Sequence, residues 1–221
     1  MKTLFKAIAV ASLATATAAQ AELSASVAVD SEYVFRGVTL DSDATTSATL
    51  EYAISGLTVG AWIADDEAGE TDLYVSYGLN AGGVDLGLSY TDYSYNDASF
   101  DGFSGGQQEI AVSVSVKGLG LNYVDGTDEL LDISDVDYDV ITLDYTLGNV
   151  NVLVGQVDYE GDADYSFFEI SGSLGQIAGL DASLTITGTF DESDFVAAEF
   201  ADAGIDTQDS IVIGFSKSFD L

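Results

Sequence analysis

The chain has 221 residues, of which 38 are Asp or Glu and 5 are Lys or Arg, so its formal net charge is −33 at pH 7. So acidic a surface repels nucleic acid and anionic headgroups, while a hydrophobic content of 47% excludes a disordered chain. His and Cys are absent, which excludes disulfides, zinc or haem sites built on these residues, and Ser–His or Cys–His nucleophile pairs.

The first residues have the pattern of a secretory signal peptide. Lys2 and Lys6 give a positive start, a short apolar stretch follows, and Ala19 to Ala21 fits a small-x-small cleavage site. We therefore predict a cleaved signal peptide over 1–21 and one exported domain over 22–221.

Beyond this segment, hydrophobicity alternates with a period of two, and no stretch has an apolar stripe at helical spacing. Each such segment predicts a strand with one apolar and one polar face. Val150–Tyr159 has aliphatic residues on both faces, so its orientation is ambiguous. The predicted strands are about Leu23–Gly37, Ala48–Ile54, Leu57–Ile63, Asp72–Leu79, Val84–Thr91, Glu109–Val116, Leu119–Val124, Ile141–Leu147, Val150–Tyr159, Tyr165–Leu174, Leu180–Phe190 and Ser210–Leu221.

Two kinds of connection alternate between these strands. Tight turns such as Ser55-Gly56 and Lys117-Gly118 contain no acidic residue, whereas six long connections hold 23 of the 38 acidic residues. A membrane barrel has this asymmetry because one rim meets a confined compartment and the other meets the outside. The long connections are about Val38–Ala44, Asp65–Glu70, Asn96–Gly106, Asp125–Asp137, Glu160–Asp164 and Asp191–Gln208.

The composition of the polar faces indicates what surrounds the sheet. Ser, Thr and Gly dominate these faces, and the Lys residues usual on a soluble strand are almost missing. In lipid the sheet must close so that every backbone group is paired, and an even number of strands fits a bacterial outer-membrane barrel. We predict an all-β fold, a single antiparallel up-and-down transmembrane β-barrel of about 12 strands, with its apolar faces outward. A secreted soluble β-protein is the alternative.

Aromatic residues gather at both ends of the strands, which predicts two interfacial belts. Beside the long loops these are Tyr33, Phe35, Tyr93, Tyr95, Tyr123, Tyr138, Tyr159, Tyr165 and Phe190, and beside the tight turns Tyr52, Tyr77, Tyr145, Phe215 and Phe219.

One stretch resembles a known family. Asp30-Ser-Glu-Tyr-Val-Phe-Arg-Gly-Val38 is similar to the opening of the TorF-type porins, and the similarity continues through Gly56–Ile63 and Glu70–Tyr77. The resemblance implies an outer-membrane barrel with a transport role, in which the first stretch ends the first strand. It implies no catalytic residues.

Eight acidic residues and one Arg fall on the predicted inner face, and a carboxylate-lined pore favours cations. Arg36 lies near the outer end of the first strand, as a brace between Glu32 and Glu51 or as a constriction. The connection Asp191–Gln208 is a candidate plug. The predicted pore-lining residues are Asp30, Glu32, Arg36, Glu51, Asp72, Asp85, Glu109, Asp144 and Asp181.

Two acidic connections are dense enough in carboxylates to bind Ca²⁺ or Mg²⁺ weakly, although neither matches an EF-hand. A solvated acidic surface is the alternative. Beyond such ions no cofactor is predicted. The residues concerned are Asp128, Glu129, Asp132, Asp135, Asp162 and Asp164.

Together these features predict a non-enzymatic porin-like channel in the outer membrane of a Gram-negative bacterium, for passive passage of small solutes with a cation preference. The alternative is a non-conducting structural or adhesive barrel that uses divalent cations at its loops. Expected partners are outer-membrane lipid, lipopolysaccharide, periplasmic chaperones and the barrel-assembly machinery, whose signal the terminal strand up to Phe219 and Leu221 resembles. Nucleic acid is not an expected partner.

Overall fold

The structure is a computed structural model that describes residues 21–66, 69–95, 106–128, 136–160, 163–191 and 209–221. The predicted signal peptide, apart from Ala21, lies outside the described residues. So does the candidate plug Asp191–Gln208, apart from Asp191. The described residues contain no helix with the length and hydropathy needed to span a bilayer.

Fourteen strands are present in the described residues, and twelve of them form a closed antiparallel barrel. Each barrel strand pairs with its neighbours in chain order, and the first closes the ring by pairing with the fourth and the last. This confirms the predicted fold class. The strands are β1 (Glu22–Asp30), β2 (Tyr33–Phe35), β3 (Val38–Asp41), β4 (Thr45–Ile54), β5 (Leu57–Ala64), β6 (Glu70–Ala81), β7 (Val84–Tyr95), β8 (Gly106–Val116), β9 (Leu119–Asp128), β10 (Val136–Leu147), β11 (Val150–Tyr159), β12 (Ala163–Ile177), β13 (Leu180–Phe190) and β14 (Ser210–Asp220).

The tight turns all lie at one end of the barrel, which we call the turn end. Ser55-Gly56 has φ values of 51° and 86°, and Lys117-Gly118 has 53° and 84°. Two successive positive φ angles are the geometry of the two-residue hairpin whose twist matches that of the strands. The long connections lie at the opposite end, which we call the loop end.

The apolar faces of the barrel strands point outward. Leu73 and Ile211 are both 58% exposed, and exposed Leu, Ile and Val side chains recur on every barrel strand. A soluble barrel reverses this arrangement and fills its interior with aliphatic residues. The outward orientation predicted from the alternation is therefore confirmed.

The first strand differs from its prediction. β1 ends at Asp30 rather than at Gly37, and β2 and β3 form a separate two-stranded sheet. Arg36 and Gly37 join them with φ angles of 49° and 83°, which fold the chain back in a tight turn. We call Tyr33–Asp41 the inserted hairpin, because its residues contact the inner wall of the barrel.

Gly37 lies very close to that wall. A Cβ atom at this position would lie 2.6 Å from the carbonyl oxygen of Gly188 on β13 and 2.8 Å from the Cβ atom of Phe167 on β12. Both distances are shorter than real Cβ contacts, so only Gly allows the hairpin tip to approach the wall this closely.

The predicted aromatic belt at the loop end is largely wrong. Tyr33, Tyr93, Tyr138 and Tyr165 are buried inside the barrel, where they contact the inserted hairpin or belong to it. The belt at the turn end agrees better, since Tyr52, Tyr77, Tyr145 and Phe219 are exposed on the outer surface.

Substitution of Gly37 by Ala is expected to weaken the docking of the hairpin. Gly179 has nearly the same φ angle, 84°, and a methyl group added there would meet nothing within 4 Å, so Gly179→Ala carries the same backbone strain without the clash. We expect Gly37→Ala to lower the free energy of unfolding by about 1–3 kcal/mol more than Gly179→Ala, measured by urea titration of the refolded protein. Equal losses would show that the contact at Gly37 is not tight.

Candidate functional site

The lumen has two different halves. Toward the turn end many of its side chains are small and polar, as where Gly87 faces Ser113 across neighbouring strands, and a larger polar contact there joins Tyr74 to Glu51. Toward the loop end the inward side chains are large, and the inserted hairpin packs among them. The candidate functional site is the loop-end half, where the hairpin meets the wall.

The tip of the hairpin forms an ion pair with the wall. The Arg36 Nη2 atom donates to Glu109 Oε1 on β8 over 2.6 Å, and the two side chains are only 10% and 7% exposed. Burial acts to lower the pKa of the Arg36 guanidinium, but Glu109 and the neighbouring Tyr side chains together outweigh it, and the net shift is upward. Arg36 therefore stays charged.

Two Tyr side chains complete the environment of this ion pair. Tyr138 donates its hydroxyl proton to Glu109 Oε1 over 2.6 Å, and Tyr93 donates to Oε2 over 3.0 Å. The Arg36 guanidinium carbon also lies 4.6 Å from the centre of the Phe35 ring and 5.7 Å from that of Tyr138. A buried carboxylate needs this many donors, because desolvation otherwise outweighs the attraction between the charges.

Two further polar contacts hold the sides of the hairpin. The Tyr33 hydroxyl donates to Glu70 Oε2 on β6 over 2.7 Å, and the hydroxyl oxygens of Thr39 and Ser210 lie 2.9 Å apart in a hydrogen bond to β14. The Tyr33 ring also lies 5.8 Å from that of Trp62 on β5, centre to centre. The hairpin is thus bound to strands on several sides of the lumen.

An apolar surface on the inner wall receives the remaining face of the hairpin. Val38 is 4% exposed and Leu40 packs beside it. This surface explains the ambiguity of β11, whose second apolar face contributes the inward residues Leu153 and Val157 to the cluster. The wall residues of this cluster are Val124, Tyr138, Val140, Leu153, Val157, Tyr165 and Phe167.

The partners predicted for Arg36 as a brace are wrong. Arg36 binds Glu109 rather than Glu32 or Glu51, because the chain turns inward after Asp30. Glu51 instead accepts a hydrogen bond of 2.8 Å from the Tyr74 hydroxyl. Glu32 lies in the bend that leads into the hairpin.

The other predicted pore-lining acids are distributed along the inner face. Asp30 lies against Gly214 near the loop end, and Asp72 lies beside Glu70. The remaining three lie at the turn end: Asp85 accepts from Asn80 over 2.7 Å, Asp181 accepts from Gln176 over 3.1 Å, and Asp144 lies against Gly120.

Sequence reasoning missed two deeply buried acids of this half. Glu70 and Asp128 are each 2% exposed, and Asp128 accepts a hydrogen bond of 2.8 Å from Gln107 Nε2. The sequence pattern places both in connections instead. The period-two alternation could have identified them, because residues an even number of positions apart share a face of a strand. Glu70 lies two residues before Asp72, and Asp128 lies four residues after the inward Val124.

The residues predicted to bind divalent cations separate in the structure. Asp128 is buried at the end of β9 rather than in a loop, and Asp164 belongs to β12. Glu129, Asp132, Asp135 and Asp162 lie outside the described residues. Among the residues that are described, no group of three or more acids is arranged to hold a metal ion.

The outer surface carries a row of acids near the loop end. In the strand register Asp139 lies opposite both Asp125 and Asp158, and Asp158 lies opposite Asp164. Like charges directly opposite each other are unfavourable. The negative charge of Asp139 is partly compensated, because the Tyr123 hydroxyl donates a hydrogen bond to this carboxylate.

No protein-family model matches the sequence, and no curated protein matches it. Several solved structures are similar in fold. OccAB1 from Acinetobacter baumannii has a TM-score of 0.44 at 13% identity, over 81% of this chain and 58% of that one. CdiB from Acinetobacter baumannii has a TM-score of 0.42 at 14% identity, over 77% of this chain and 38% of that one.

A further solved structure, a porin, has a TM-score of 0.38 at 18% identity, over 82% of this chain and 64% of that one. This chain therefore spans less than two thirds of the length of each of these proteins. The likeness concerns the fold alone, and the resemblance to the TorF-type porins stays a prediction.

Proposed function

We propose that this protein is an outer-membrane channel for passive passage of small solutes, with a preference for cations. The observation that carries the proposal is a closed barrel that is apolar outside and lined with carboxylates inside. Within the described residues, Arg36 is the cation bound to a wall carboxylate. A lumen with this excess of negative charge attracts cations and repels anions.

The outer surface supports placement in a membrane. A soluble protein rarely exposes an apolar patch of more than a few hundred Å², whereas here exposed aliphatic residues surround the whole barrel. Lys217 on the outer face reaches the turn end, where its Nζ atom donates to the Gly179 carbonyl over 3.0 Å. A cation that reaches past apolar surface to a polar rim is typical of a membrane interface.

The two different ends of the barrel indicate its orientation in the membrane. Assembly of outer-membrane barrels leaves short turns in the periplasm and long loops outside, so we place the turn end in the periplasm and the acidic loop end at the cell surface. Lipid, lipopolysaccharide and the assembly machinery are the corresponding partners. Catalysis is not part of the proposal, because Glu109 is held by three donors and the chain has no His or Cys.

Reversal potentials in planar bilayers under a salt gradient test this function. We expect wild-type protein to prefer cations, and Glu51→Gln to reduce the preference because it removes a lumen charge. Asp139→Asn removes a charge from the outer surface and serves as the matched control, with little effect expected. An anion preference, or equal effects of the two substitutions, would contradict the assignment of the lumen as the selective element.

A non-conducting structural or adhesive barrel is the second candidate, and the filling of the loop-end half by the hairpin favours it. In that case divalent cations would bridge the outer acids to anionic headgroups. We expect millimolar Ca²⁺ to raise the unfolding temperature, and Asp139→Asn with Asp158→Asn to reduce the rise, because the paired charges are then gone. A rise of the same size in the double variant would place Ca²⁺ binding elsewhere.

A further inference from the structure

The inserted hairpin is attached to the barrel on one side only. Residues 31–32 connect it to β1 and residues 42–44 connect it to β4, and these two strands are neighbours in the ring. Every contact on the other walls is non-covalent. The hairpin therefore has the connectivity of a flap, with a short connection on each side.

The barrel does not need the hairpin for its closure. β1 pairs with β4 from Glu22 opposite Ala53 to Asp30 opposite Thr45, and it pairs with β14 on its other edge. β2 and β3 pair with each other in a separate sheet. Withdrawal of the hairpin would leave the wall hydrogen bonds of all twelve strands in place.

The docked hairpin crosses the lumen. Its tip contacts β8 through Arg36 and approaches β13 and β12 at Gly37, while Tyr33 and Thr39 contact β6 and β14. The lumen toward the turn end, by contrast, contains small residues such as Gly87, opposite Ser113. Among the described residues, the hairpin thus narrows the path at the loop end.

The charged groups of the site can be solvated by water when the hairpin undocks. With the hairpin withdrawn, water can reach Glu109 and Glu70 from the lumen, and Arg36 is solvated outside. The cost of breaking a buried ion pair comes from leaving one charge without partner or water, and that cost is absent here. The two states therefore differ mainly in apolar contact and in the hydrogen bonds of the hairpin.

We propose that the inserted hairpin is a gate: docked, it closes the channel, and withdrawn toward the loop end on its two short connections, it opens the channel. This inference rests on the proposed channel function and names the element that regulates it.

A disulfide across the docked contact tests the gate. The chain has no Cys, and the Thr39 and Ser210 hydroxyl oxygens are 2.9 Å apart, so Thr39→Cys with Ser210→Cys places two thiols within reach of each other. Oxidation should lock the hairpin, and a reductant should release it. We expect the open probability in planar bilayers to fall by about tenfold or more on oxidation and to recover on reduction.

The controls separate the gate from the channel. In each single Cys variant, we expect the open probability to be the same with oxidant and with reductant. Heat-modifiable gel migration should show that the double variant folds. If the oxidised and reduced double variants conduct equally, with the disulfide verified by mass spectrometry, the gate is refuted and the channel stands. If neither these proteins nor a variant with residues 33–41 replaced by a Gly-Ser linker conducts, the channel itself is refuted, and the gate with it.

The ion pair offers an independent test. Glu109→Gln removes the charge that holds Arg36, so we expect a higher open probability than in wild type. Asp139→Asn removes a charge from the outer surface, away from the lumen, and should leave the open probability near the wild-type value. An open probability of Glu109→Gln equal to or lower than that of wild type would contradict the proposal that the ion pair holds the hairpin docked.

Discussion

Closure of the sheet is the constraint on which the rest of this structure depends. β1 is paired along its whole length with β4 and over most of it with β14, so the ring is complete before β2 and β3 are considered. In a closed ring no strand edge is left to bind another segment. The residues between β1 and β4 therefore cannot extend the wall, and they pair with each other and pack inside it.

The acidic residues have different surroundings on the outer surface and in the lumen of the barrel. On the outer surface the acids lie beside other acids, as Asp139 does beside Asp125 and Asp158. In the lumen Glu109 is surrounded by donors, namely Arg36 and two Tyr hydroxyls. The acidic composition thus includes both a repulsive surface and a specific binding position for the hairpin tip.

The strands and turns were predictable because their causes are local. Period-two alternation and positive-φ pairs such as Ser55-Gly56 need no distant partner. The hairpin was not predictable in this way. Its alternation continues that of β1, so Tyr33 and Phe35 fitted a longer strand, and the partner that binds the tip, Glu109, is 73 residues away. The second apolar face of β11 was the one local sign, since an inward Val157 requires something inside the barrel to cover it.

That apolar wall also determines which state of the hairpin is the more stable one. Val157, at 0% exposure, and Val140, at 1%, would face water if the hairpin left the lumen. Full burial of one such side chain is worth about 1.5–3 kcal/mol, and every 1.4 kcal/mol corresponds to a factor of about ten in population. Polar contacts alone do not give this bias, because water replaces them at little net cost. The docked state is therefore the resting state, and its stability is set by the aliphatic residues of β9 to β11 more than by the ion pair.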